Sequence, residues 1–410
     1  MEEVRTPPPP AGVPDPHAAH RIPPLLAGYW AFGQFWGVWV ILVSRINDHH
    51  GLSYEDNGAL LMVLSIVAVA VMALVTPRFA RTPLGTTVPV SLLTLGLGSF
   101  ALALFPSGWL WLAFCVVGAG NGLIDVFMNV DAQRVEVATR KPVLQWLHAS
   151  YAAGGVTGAA AGGLVGTLDL DFRWGLIYAT VALLTTAGWN VVRGSRQRGV
   201  EAERSVFSLS AFRRHRGLWV AGLVVLFAFL VEGSMDTWSG LYLQDQLDAT
   251  AGQAALAFAA FSASLFLGRM FAGRVLFGLG PRATILFAGL GAAAGGAIAT
   301  VTSSPLVVGL AFLLMGFAIS AAAPAGFGLV EAMAPRDQTN AIAAVTTVGY
   351  TGFVWSPPIF GYIAGAFDLR TAMAVIVSST LGIIIAGAFA TRHRLRIGDA
   401  AADSPLSRRG

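Results

Sequence analysis

The sequence predicts an all-α membrane protein with twelve transmembrane helices arranged in two six-helix halves, and three observations carry that reading. Hydrophobic residues make up 55% of the 410 positions and charged residues 12%, against ~45–50% and ~25% in soluble domains. The charges fall in narrow gaps between apolar stretches of about 20 residues, the length at which a helix crosses a ~30 Å hydrocarbon core. One long polar gap divides these stretches six and six. An all-helical bundle follows, because an open sheet cannot satisfy its backbone in lipid.

Taken in order, residues 1–25 open with MEEVRTPPPPAGVPDP, polar and rich in Pro, and read as a disordered cytoplasmic tail. The tail lacks the basic start, short apolar core and cleavage site of a secretory signal peptide, so the first span stays as an anchor. Six spans, 26–44, 57–76, 86–106, 109–130, 143–166 and 173–192, build the first half, 26–192. The gap 193–217 is a basic cytoplasmic linker holding Arg193, Arg196, Arg198, Arg204, Arg213, Arg214 and Arg216. Its stretch SVFSLSAF reads as a short amphipathic helix on the membrane surface. Spans 218–243, 252–272, 283–302, 305–328, 340–364 and 371–391 build the second half, 218–391, and 392–410 form a second cytoplasmic tail.

An internal repeat supports the halves. In the fifth span His148-x-x-Tyr151 precedes Gly158, Ala159 and Gly162; in the eleventh, Thr347-x-x-Tyr350 precedes Pro357, Pro358 and Gly361. Setting Tyr151 against Tyr350 aligns Ala159 with Pro358 and Gly162 with Gly361. Paired Gly/Pro-interrupted helices in two halves point to a site between them.

Orientation follows from charge. Of the 26 Lys and Arg, 23 fall on the side that holds the N-terminus, Arg269 being counted there; Arg45, Arg173 and Arg370 alone lie opposite. The positive-inside rule then places both termini in the cytoplasm and the chain in the cell inner membrane. The net charge of +4 reports this topology and not nucleic-acid binding. The one cysteine, Cys115, lies inside a span as a small packing residue, which excludes a disulfide framework or a zinc cluster.

Polar residues inside the spans are the candidates for function. Asn121, Asp125 and Asn129 recur every four residues and share one face of the fourth span. An acid at that depth costs at least ~2.5–3.5 kcal/mol and usually faces a water-filled path. At about 1.5 Å per residue, Asp125 lies roughly 24 Å from the outer end of its span and His148 about 8 Å from the inner end of the fifth, so the two are expected to meet and exchange a proton. Asn121 and Asn129 are expected to flank the acid. The seventh span carries Glu232 and Asp236, again four apart, with Glu232 in the outer half and expected to face Trp36 or Trp39. These two, with Trp238 and Tyr350, are placed to stack on a ring or sugar face while Gln34 bonds its hydroxyls. No Lys or Arg is read at the middle of a span, which disfavours phosphate esters and dicarboxylates.

At this point the chain resembles the major facilitator superfamily. Pro77-Arg78-Phe79-Ala80-Arg81-Thr82 looks like a degraded copy of that family's loop signature, with Pro77 in place of the acid and Ala80 in place of Gly. Asp125-x-x-x-Asn129-x-Asp131 with His148-x-x-Tyr151, Glu232-Gly233-Ser234 leading to Trp238, and Gly349-Tyr350 leading to Pro357-Pro358 are similar to the bacterial YbjJ-type transporters, a branch near the fucose-permease-like carriers. The resemblance covers roughly 20–400 and implies the major facilitator fold, a proton-coupled secondary carrier, and a cavity lined by the first, fourth, seventh and tenth spans. Gly154-x-x-x-Gly158-Ala159-x-x-Gly162 also looks like the fifth-span signature of the superfamily's drug antiporters, with Ala159 where Pro is expected.

No GxxxxGK[ST] loop and no Ser-His-Asp or metal spacing is present, so the sequence indicates neither an enzyme nor a cofactor or metal. The reading is a monomeric secondary carrier that moves a small neutral or cationic polar solute by alternating access, coupled to protons through Asp125, His148 and Glu232. Asn121, Asn129, Gln34, Trp36, Trp39, Tyr151, Asp236, Trp238 and Tyr350 are its candidate solute contacts. The alternatives are an efflux antiporter for drugs or metabolites and a membrane sensor or scaffold that moves nothing.

Overall fold

A computed structural model describes residues 18–79, 82–193, 210–335 and 337–390. Helices run α1 (Ile22–His50), α2 (Tyr54–Ala70), α3 (Leu84–Leu104), α4 (Leu110–Thr139), α5 (Val143–Thr167), α6 (Arg173–Val192), α7 (Ser210–Arg214), α8 (Leu218–Leu241), α9 (Ala251–Val301), α10 (Pro305–Ile319), α11 (Ala322–Met333), α12 (Gln338–Ala366), α13 (Leu369–Ser378) and α14 (Thr380–Phe389). Nine helical stretches among the described residues are long and apolar enough to cross a membrane. Twelve crossings are reached because α5 and α12, whose Gly, Ser and Thr content dilutes their hydropathy, also run the full length, and α9 counts twice. Gly280 (φ 77°, ψ 165°) breaks α9 ahead of Pro281. Its first limb lies parallel to α10, where Gly309 meets Ala257 and Gly268 meets Ser320, while its second limb runs antiparallel, where Gly291 meets Ala318 and Gly295 meets Ala311. The chain therefore doubles back with no loop at all, which a positive φ at glycine permits.

Other differences from the expected spans have local causes. Span ten is two helices, α10 and α11, joined at Ser320–Ala321, and span twelve is broken at Ser379 into α13 and α14. The expected tail 1–25 ends earlier: Ala18–Arg21 form a 3-10 turn and α1 begins at Ile22, with proline at its first turn, where the missing N–H costs nothing. Arg21 is buried in an ion pair with Asp131 of α4. Of the expected SVFSLSAF helix only the end, in α7, is described; residues 1–17, Ala80, Arg81 and 391–410 also lie outside the described residues.

Large apolar side chains such as Leu97, Phe100, Val181, Leu290, Leu310 and Ile385 are exposed around the bundle. That is the surface a lipid solvent requires. Within each half the same pair of helices packs tightest by the same device: Gly33, Gly154 and Gly158 let α1 and α5 touch backbone to backbone, and Gly352 does so for α12 against α8. This is the structural form of the internal repeat.

The described chain starts and finishes at one end of the bundle, the terminal end. At the far end the two halves meet. Ser44 donates to Asp245 (2.6 Å), the Tyr54 hydroxyl donates to the same carboxylate (3.3 Å), and Gln244 donates to the Ile41 carbonyl (2.9 Å). Gly58 lies on Pro357 and Pro358, Gly240 on Val40, and Gly166 on Ala251. Short, capped turns hold this end, with Ser53–Asp56 and Thr250–Gln253 capping boxes starting α2 and α9.

Candidate functional site

The polar residues picked from the sequence collect between the halves, on the terminal side of the far-end seal. In the first half, α4 presents Asn121, Asp125 and Asn129 one turn apart. The Trp36 indole N–H of α1 donates to Asn121 Oδ1 (3.3 Å), and Asn121 Nδ2 donates to Asp125 Oδ2 (3.3 Å). Because Trp36 fixes which end of the Asn121 amide accepts, the amide N–H groups must point at the acid. Asn129 donates to the Asp125 backbone carbonyl (2.6 Å) and not to its carboxylate, and its side chain meets the Tyr29 hydroxyl. Tyr29, Tyr151 and Tyr350, from α1, α5 and α12, all lie within electrostatic reach of Asp125. Tyr350 comes from the opposite half.

The expected contact between Asp125 and His148 is not formed. His148 stands edge-on to Tyr29, with ring centroids 5.9 Å apart, and its charged neighbour is Arg269. The two helices carry these residues at similar depth, but His148 packs on Tyr29 of α1, which depth alone does not reveal.

In the second half the structure corrects the reading of Glu232. The side chain does not face Trp36 or Trp39; it accepts a hydrogen bond from Arg269 Nη2 of α9 (2.5 Å), with 5% of the glutamate side chain and 41% of the arginine side chain exposed. Glu232 Oε1 is buried without a partner. Arg269 also lies within reach of Asp236 and Tyr151. A cation therefore does sit in the site, contrary to the sequence reading. Its aliphatic stem covers the span while its head reaches the acid instead of the membrane interface. The sequence held a signal for it: Arg269 lies inside the assigned span 252–272, among Phe266, Leu267, Met270 and Phe271.

Three expected solute contacts are packed in the closed part of the bundle. Trp39 is 1% exposed and edge-on to Phe114 at 5.4 Å, and Trp238 is stacked on Phe360 at 4.8 Å. Gln34 is fully buried, with neither end of its amide bonded. Among the described residues no cluster of His, Cys, Asp or Glu is placed to hold a metal ion. A separate cavity of about 330 Å³, lined by Leu276, Pro324, Phe327, Gly328, Glu331, Ile342 and Thr346, lies within the second half between α9, α11 and α12.

Residues 240–407 match the Major Facilitator Superfamily. Over 371 residues the chain is 29% identical to an uncharacterized MFS-type transporter of Yersinia pestis, covering 89% of this chain and 94% of that protein. These likenesses support a transporter of the major facilitator type. It is also 26% identical to membrane protein MosC of Rhizobium meliloti, across 88% of each chain. Among solved structures, a bacterial homologue of the human lysosomal transporter Spinster in an inward-facing, occupied conformation superposes with a TM-score of 0.72 at 15% identity, over 92% of this chain and 96% of that one. The nucleoside transporter NupG superposes with a TM-score of 0.71 at 11% identity, over 92% and 100%. At such identities the likeness shows the fold alone. Sequence and fold together support a membrane-embedded, multi-pass transporter.

Proposed function

We propose that this transporter is a proton-coupled secondary carrier that moves a small neutral or cationic polar solute by alternating access. One observation carries the reading: an acid of the first half, Asp125, lies within electrostatic reach of Tyr350 of the second, and Arg269, paired with Glu232 in the second half, lies within reach of Tyr151 of the first, between halves that are joined at the far end. Charge placed between two rocking halves changes its surroundings when they rock, which is what coupling requires. Asp125 is the coupling carboxylate. His148, on the open side of Tyr29, passes protons from bulk water to the cavity, and Glu232 with Asp236 sets the charge against which Arg269 is held. Asn121, Asn129, Trp36, Tyr151 and Tyr350 contact the solute. Gln34, Trp39 and Trp238 line the closed end and reach the solute only when that end opens.

The terminal end is cytoplasmic, since with Arg269 set aside the sequence still assigns 22 of the 26 Lys and Arg to that side, and the membrane is the inner one. The state described is then inward-facing. One chain supplies both halves of the path, so the carrier works as a monomer.

The test is reconstitution of the full chain into liposomes with a trapped pH-sensitive dye, screened with polar solutes. A solute gradient should move protons in the wild type and not in Asp125→Asn, whose amide keeps the bond to Asn121 but cannot release a proton. Solute movement without proton movement would remove the coupling. Binding without any movement would make the protein a sensor or scaffold.

A further inference from the structure

Asp125 has only one side-chain hydrogen bond, from the neutral amide of Asn121, and that bond uses Oδ2. Oδ1 takes no part in that bond. No Lys, Arg or His pairs with this carboxylate among the described residues, whereas the acids of the second half share Arg269. Asp125 is thus a charge without a counter-ion in a low-dielectric place, a condition that draws a cation from solution.

The walls around it are aromatic. Tyr29 and Tyr151 meet edge to face, with centroids 6.5 Å apart and planes inclined by 70°, and Phe32 meets Tyr151 at 5.1 Å. Tyr350 closes the opposite side from α12, backed by Phe229 at 5.8 Å and Phe353 at 6.1 Å. Trp36 is held in place by its bond to Asn121. Ring faces around a carboxylate stabilise an alkylammonium through its C–H edges and its charge at once, and they do little for an anion.

Resting on the proposed carrier reading, we infer that the solute is an organic ammonium, its nitrogen held by Asp125 and its carbon substituents held by Tyr151, Tyr350 and Trp36, with Tyr29 buried behind Tyr151. An ammonium takes the carboxylate that a proton would otherwise hold. Solute and proton therefore exclude each other at Asp125, and for each ammonium bound to protonated Asp125 one proton is released to water.

The experiment compares choline and ethanolamine with 3,3-dimethylbutan-1-ol, the uncharged carbon isostere of choline, and with glucose, by calorimetry on the purified full chain. At least one ammonium should bind about tenfold or more tightly than the isostere, and Asp125→Asn should remove that difference. Tyr350→Leu should weaken the ammonium several-fold while Tyr350→Phe, which keeps the ring, should not. The second pair keeps the inference testable if Asp125→Asn does not fold. Equal binding of ammonium and isostere, binding of glucose alone, or no binding by either ammonium would overturn the site. In liposomes the two readings separate: glucose-driven proton movement without ammonium binding sinks the ammonium site and leaves the carrier standing. Ammonium binding with no proton movement does the reverse.

Discussion

Removing Arg269 should harm this protein far more than neutralising its partner Glu232, although both changes break the same ion pair. The contact is 2.5 Å long. With charge centres about 4 Å apart and an effective dielectric near 20, the bare attraction is about 4 kcal/mol. Water reduces it, because 41% of the Arg269 side chain is exposed, and the net value of a half-exposed pair is nearer ~1 kcal/mol. Glu232→Gln leaves a guanidinium that water can solvate, so its cost should be about 1 kcal/mol. Arg269→Ala leaves a carboxylate with 5% exposure, one oxygen already unpartnered and the other newly so. An uncompensated buried charge of that kind costs about 3–5 kcal/mol. Adding Glu232→Gln to Arg269→Ala should therefore restore roughly 2 kcal/mol, a coupling of the size that double-mutant cycles resolve. Equilibrium unfolding in mixed micelles, followed by tryptophan fluorescence, measures all three variants. Equal losses for the two single variants, or a double variant no better than Arg269→Ala, would refute the reasoning.

The remaining predictions concern the seal and the linker. A side chain at Gly240 would run into the Val40 carbonyl across the far-end contact, so Gly240→Leu should strain that contact by about 1–3 kcal/mol. Maleimide should then modify a cysteine placed at Asn57, fully buried beside the seal, roughly tenfold faster; an unchanged rate means that the halves do not part there. Asp245→Ala removes the acceptor for both Ser44 and Tyr54 and should open the same reporter more than Ser44→Ala does, which a labelling time course would show. Outside the membrane spans, the Asn340 amide and the Arg214 guanidinium hold the Asp337 carboxyl below its ordinary value of 3.8. A depressed folded value stabilises the protein above the ordinary one and is lost as pH falls through it. Asp337→Asn should thus lower thermal stability at pH 7 and lose that effect as the pH falls below the ordinary carboxylate value of 3.8; a difference independent of pH would contradict the sign.

Much was settled by the sequence alone, because membrane thickness is a fixed ruler and polar groups inside it stand out. Twelve spans and the polar face Asn121–Asp125–Asn129 could be read from apolar length and a spacing of four. Tertiary structure decided what those residues touch. Depth along a helix gives one coordinate, and the other two depend on which helices are neighbours. So His148 matched Asp125 in depth yet packed on Tyr29, Glu232 turned to Arg269 and not to Trp36, and Trp39 and Trp238 fell inside the packing. Arg269 shows the reason most plainly. The apolar pattern ended its span at 272, close behind Arg269, whereas the helix runs on to the break at Gly280, which leaves Arg269 well inside it, beside the acid that the neighbouring helix brings within reach.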